Sequence, residues 1–164
     1  AFAWLLAFDS RMCGVAGRAR EPLIAQLRFA WWREMLGKLA TERPTGEPLL
    51  ALLANVQQTG VAEAALILID AWELQIGDDD SDRSRELRVQ AVFATYADWV
   101  HCSAEQRKLA QMLGLHWAGG MSDSMTSPSR KLRPLSILSL AAQLERRGGR
   151  SNGIRLVWHA LTGR

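Results

Sequence analysis

Apolar residues recur along this chain at the three-to-four-residue spacing of helices, and no stretch alternates as a half-buried strand would. The strongest pattern is Glu21 to Leu39, EPLIAQLRFAWWREMLGKL. There Leu23, Leu27, Trp31, Met35 and Leu39 fall every fourth residue, and Ile24 and Trp32 widen the stripe. Pro22 belongs in a helix's first turn, because the N–H it lacks would be unpaired there in any case. The stripe predicts an amphipathic helix to about Ala40 that buries these residues, its two tryptophans plugging a core. Arg28, Arg33 and Glu34 are the polar residues set among them.

The remaining elements follow from the same periodicity and from turn residues. Leu5, Leu6, Phe8, Met12 and Val15 mark a first helix from Phe2 to about Ala16, broken over Gly17 to Arg20. TERPTGE is a polar connection, after which Pro48 opens a third helix to about Gln58, with Gly60 as its stop. A fourth helix runs from Val61 to Ile76 and a fifth from Arg83 to His101, the latter carrying Phe93, Tyr96 and Val100 on one face. Between them, Asp78-Asp79-Asp80-Ser81-Asp82 has a spacing that could hold Mg²⁺. Its polar setting after Gly77 reads instead as a loop leading into a helix N-cap, where negative charge is favoured. Ser103 and Gln106 form a capping box opening a sixth helix to about Ser122. Arg133-Pro134-Leu135 opens a seventh, and Ile154 to Leu161 is a last short helix after the glycines 148, 149 and 153.

Length and composition narrow the class. The chain of 164 residues reads as one domain over 1–164, and its 48 % hydrophobic content excludes a disordered protein. The net charge of +3 draws on a basic last third, from Arg130, Lys131 and Arg133 to Arg146, Arg147, Arg150, Arg155 and Arg164. These charges suit a solvated helix surface or attraction to anionic head groups or diphosphates. No aromatic residues interleave with them as in a single-strand binder, so nucleic acid is not an expected partner. Cys13 and Cys102 match no metal spacing and no disulfide framework, which suggests buried free thiols in a reducing compartment. The opening AFAWLLAFDSRM starts inside a helical pattern without Met, and reads as the shortened start of something longer.

Glu-Pro followed by Leu-Arg-x-x-Trp-Trp-Arg-x-x-Leu resembles the second helix of squalene/phytoene-synthase-like proteins. Three weaker points of resemblance follow in order: Asp70 and Glu73 three apart at a helix end, Tyr96 in mid-helix, and the Arg133-Pro134-Leu135 helix start found in a divergent bacterial branch. The resemblance implies an all-α, isoprenoid-synthase-like bundle of about seven or eight helices around a central cavity, shortened at its N-terminus. It also implies prenyl diphosphate as ligand, with Arg28, Arg33, Tyr96, Asp70 and Glu73 in substrate-binding positions. On the residues alone, Asp70 and Glu73 share a helix face and could equally share a cation or pair with Arg28 or Arg33.

Enzymes of the family carry carboxylates four residues apart on two facing helices, each pair holding Mg²⁺ against a diphosphate. Here only Asp9 stands on the first helix, followed by Ser10, Arg11, Met12 and Cys13. On the other side only Asp123 stands, with Thr126 and Ser127 where its partner would be. Gly119-Gly120 also weakens the helix leading there, by about 1 kcal/mol per glycine. The expectation is therefore a catalytically degenerate relative that binds a prenyl lipid or a partner protein, in the cytoplasm or peripheral to the inner membrane. Two alternatives stay open: an active Mg²⁺-dependent head-to-head prenyltransferase using Asp9 and Asp123, and a helical interaction or assembly-factor domain, a role known within the family.

Overall fold

The computed structural model describes residues 1–18, 21–77, 80–119 and 129–146, and among these every regular element is helical. In chain order they are α1 (Phe2–Arg18), α2 (Pro22–Gly37), α3 (Pro48–Leu53), α4 (Val61–Gly77), α5 (Ser81–Val89), α6 (Thr95–Trp99), α7 (Ala104–Trp117) and α8 (Arg133–Arg146). The protein is all-α, in line with the expected bundle of about seven or eight helices. The predicted fifth helix, Arg83 to His101, is divided among the described residues into α5, a π turn and α6. The expected last helix, Ile154 to Leu161, lies outside the described residues. The chain divides into two compact units, residues 1–95 and 96–164.

In the first unit α4 is the central helix, packed against α1, α2 and α5. Its buried positions are Val61, Ala64, Ala65, Leu68, Ile69, Ala71 and Trp72, the i, i+3, i+4, i+7 series of a core-facing helix. The three alanines let neighbouring backbones approach closely, and the larger side chains interlock above and below them. α1 contributes Trp4, Leu5, Phe8, Met12 and Val15, with Asp9 buried in their midst. Trp4 stacks on Phe8 at 5.0 Å between ring centroids, and Phe8 meets Trp32 edge-on at 5.1 Å. The Trp4 indole N–H donates to the Leu49 carbonyl at 2.7 Å, which ties the start of α3 to α1.

Asp80 caps α5 by accepting the Arg83 N–H at 3.0 Å, so the end of the acidic run serves as a helix start, as its setting predicts. α5 passes into a π turn over Gln90–Ala94 before α6 begins. The extra residue of such a turn rotates the buried stripe, which brings Ala91, Val92 and Phe93 inward in succession.

In the second unit α7 packs on α8, burying Ala110, Leu113, Leu132, Leu135 and Leu140. The Ser103–Gln106 capping box forms as expected. α6 ends in a Schellman arrangement, with Cys102 N–H on the Ala97 carbonyl, His101 N–H on that of Asp98, and His101 left-handed at φ 50°.

Of the two thiols expected to be buried, Cys102 is buried but Cys13, on α1, is exposed. Three further expectations are corrected. The third helix stops at Leu53, not near Gln58. Asn55 and Val56, both weak helix formers, close it with i→i+3 bonds, and Gly60, at φ +80°, opens α4 by accepting the Ala64 N–H. The sixth helix ends at Trp117, because Gly119 takes the left-handed conformation at φ +103° and bonds back to His116. The third correction concerns the face of α2. Ala25, Phe29, Trp32, Met35 and Leu36 are buried, whereas Leu23 is 62 %, Leu27 59 %, Ile24 40 % and Trp31 37 % exposed. The helix is apolar on two faces, and the more regular of the two stripes is the outer one.

The two faces of α2 separate in a stability measurement. Phe29→Ala should lower unfolding free energy by about 3–5 kcal/mol in urea titrations, whereas Leu27→Ala should stay within about 0.5 kcal/mol of the parent.

Candidate functional site

A groove of about 940 Å³ opens between α1, α2 and the start of α3. α1 lines one wall with Ala7, Val15, Arg11 and Arg18, and α2 the other with Arg28, Trp31 and Trp32. Glu47 and Leu49 close the end. Trp32 is buried at its base, and Trp31 stands edge-on to it at 5.0 Å with an interplanar angle of 80°. Trp31 is thereby held by the core while its outer edge faces solvent.

The rim is basic, with three guanidiniums against the one carboxylate of Glu47. Arg11 donates to Glu47 at 3.1 Å across the groove's end, while Arg18 and Arg28 have no ion-pair partner among the described residues. Glu47 also accepts the Leu49 N–H, so its position is set by the first turn of α3. The lining is mixed, with apolar surface at Trp31 and Leu49 beside the guanidiniums, which suits a ligand carrying both an anionic and an apolar part. The volume falls inside the roughly 300–1,000 Å³ of small-molecule sites.

Asp9 lies on another side of α1. Its Oδ1 accepts from Arg88 Nε and from Trp72 Nε1, both at 2.9 Å, and its Oδ2 accepts from Arg88 Nη2 at 2.8 Å. The guanidinium of Arg88 also sits 4.5 Å over the Trp72 ring. One carboxylate from α1 is thus held by a tryptophan of α4 and an arginine of α5. The side chains of this pair are only 8 % and 15 % exposed.

Asp70 and Glu73 do share a face of α4, and Arg33 of α2 reaches both, at 2.6 Å to Asp70 and 2.5 Å to Glu73. Partial burial pulls the Arg33 guanidinium down, but its bonds to Glu73 and Asp70 outweigh this and hold it above its ordinary value. Of the open alternatives for these carboxylates, the pairing with Arg33 is the one present. Arg28 is on the groove, away from them. Tyr96, in the second unit, is half-buried and donates its hydroxyl to the Lys131 carbonyl at 3.1 Å. Asp123 lies outside the described residues.

These carboxylates do not fit the Mg²⁺ site that the resemblance implies. Both oxygens of Asp9 face Arg88, and Asp70 and Glu73 converge on one guanidinium, whereas Mg²⁺ asks for near-octahedral oxygen ligands. Among the described residues no group of three His, Cys, Asp or Glu side chains is placed to hold a metal ion. Arg11, Arg18 and Glu47 were not singled out by the sequence, because nothing local marks Arg11 and Glu47, 36 positions apart, as parts of one groove. Arg88 carried a signal in hindsight: a carboxylate amid Leu5, Phe8 and Met12 demands a cation from elsewhere. Comparison with family models, curated proteins and solved structures finds no match.

The two acidic clusters differ in what they do for stability. Asp9→Ala removes a buried acceptor of three hydrogen bonds, two from Arg88 and one from Trp72, and should cost about 3–5 kcal/mol in denaturant titrations. Asp70→Ala, on an exposed pair, should cost no more than about 1 kcal/mol. Burial and, secondarily, the Cys102 thiol push Tyr96 above its ordinary 10.0. The unfolded chain therefore ionises first: stability is full below pH 10 and falls as pH rises through the folded value. Tyrosinate absorbance, which reports this single tyrosine, should have its midpoint above 10, and Tyr96→Phe should lessen the alkaline loss of stability.

Proposed function

We propose that the protein is a divergent, catalytically degenerate relative of the squalene/phytoene synthases that binds an anionic isoprenoid amphiphile. The observation that carries this reading is the groove with Trp31 and Trp32 at its floor and Arg11, Arg18 and Arg28 on its rim. A prenyl chain would lie along Val15, Leu49 and the indoles, removing apolar surface from water. A diphosphate or phosphate head would take charge-assisted hydrogen bonds from Arg18 and Arg28, with Arg11 able to exchange Glu47 for the ligand.

Support for binding over turnover comes from how the acidic residues are used. Asp9 holds three helices together, and Asp70 with Glu73 fastens α2 to α4, so neither set is left to organise a leaving group. On this reading Arg28 binds ligand and Arg33 positions its helix. The protein works in the cytoplasm, and its function is to hold or present the isoprenoid to another component.

Tryptophan fluorescence of the whole chain titrated with farnesyl and geranylgeranyl diphosphate tests this. Saturable binding should weaken about five- to tenfold in Arg28→Ala, while farnesol, which lacks the charge, should be affected little. No saturable binding would overturn the proposal. Diphosphate release with Mg²⁺ that disappears in Asp123→Ala would replace it with the prenyltransferase reading.

A further inference from the structure

The outer face of α2 does not belong to the core and is too regular to be incidental. At 100° and 1.5 Å per residue, Leu23, Ile24, Leu27 and Trp31 fall within an arc of about 100° over about 12 Å of helix. All four are between 37 % and 62 % exposed. Arg28 borders this arc and Arg18 closes α1 just before α2 begins, both exposed. Two acidic residues are close by: Glu21 at the N-cap, and Glu34, which by the same projection continues the arc about 4.5 Å beyond Trp31 and is joined to Lys38 at 2.6 Å.

We infer that this face of α2 docks on an anionic lipid bilayer, with Leu23, Ile24 and Leu27 entering the headgroup region and Arg18 and Arg28 meeting lipid phosphates. Three features select a bilayer. Aliphatic side chains flanked by arginines form the pattern of a helix lying in a membrane interface. Trp31, anchored edge-on by Trp32, offers an indole at the edge of the apolar stripe, where its ring suits the boundary between tails and head groups. The contact is peripheral, because no helix among the described residues is long and apolar enough to cross a membrane.

A second copy of the chain fits the face less well. A two-fold contact places the same patch on both sides, setting Arg18 and Arg28 against their own counterparts. Four part-exposed side chains also fall short of the roughly 800 Å² per partner of a standard interface. The docking face meets the groove at Trp31 and Arg28, so a bilayer-docked chain would hold the groove at the level of the head groups. The inference stands on α2 and does not require the groove to take the ligand proposed above.

Co-sedimentation of the full chain with vesicles of phosphatidylcholine, alone or with phosphatidylglycerol, tests it. The expected result is association with the mixed vesicles that weakens with added salt and falls about tenfold in the double variant Leu23→Ser/Leu27→Ser, with the helical circular dichroism unchanged. Leu52→Ser, at another exposed leucine, is the control and should bind as the parent does. Three results would overturn the inference. These are association with no vesicle, association that survives the double variant undiminished, and a dimer that the double variant abolishes in a chain that binds no vesicle. Titration with farnesyl diphosphate in the absence of vesicles reads the groove separately, so failure of either proposal is told apart from failure of the other.

Discussion

A carboxylate taken out of water must find its compensation in the fold, and Asp9 finds it on two other helices. The bond to Trp72 and the paired bonds to Arg88 join α1, α4 and α5 at one side chain. Bidentate geometry is what makes such a pair tolerable in the interior, since it satisfies both charged groups in a fixed orientation. Loss of Asp9 would remove the acceptor that Trp72 and Arg88 share. The apolar contacts of Leu5, Phe8, Met12 and Ile69 supply the bulk attraction, and the Asp9–Arg88 pair selects the arrangement in which both charges are satisfied.

The position of α2 rests on a different balance. Its inner face inserts Phe29 and Trp32 into the core, and Arg33 fastens it to α4 from the outside. With one face fixed in this way, the other apolar face has to lie outward, because helices on a single side cannot cover both. The same geometry opens the groove: α1 and α2 diverge around Trp31, and Arg11 and Glu47 bridge the gap at the start of α3. Groove and outer stripe are thus two consequences of one placement. Both the ligand and the bilayer proposals draw on it.

The candidate site was legible only in part. Arg28, Trp31 and Trp32 stand out in the sequence because they interrupt or intensify a regular stripe. Arg11, Arg18 and Glu47 do not, since each is an ordinary surface residue until folding brings α1 to the start of α3. Asp70 and Glu73 were visible as a pair by their i, i+3 spacing, and Arg33 was among the partners that reading allowed. Asp9 was visible only as the one carboxylate on the first helix where the family resemblance asks for two, and nothing near it pointed to Arg88, 79 positions away.

What the sequence determined by itself is local. Periodicity, Pro22 and Pro48 at helix starts, and the Asp80 and Ser103 caps all act within a few residues. They specify an all-helical chain and most of its boundaries. The burial of α2 was decided elsewhere. Two apolar stripes on one helix are both acceptable to local energetics, and the choice between them depends on which surface α1 and α4 present. Tertiary structure made that choice through shape, because Trp32 packs edge-on against Phe8 and Phe29 is buried on the same face, while Leu23 and Leu27 stay exposed. It also turned Asp9 from a candidate ligand into a structural anion, since only the folded chain brings a guanidinium to it.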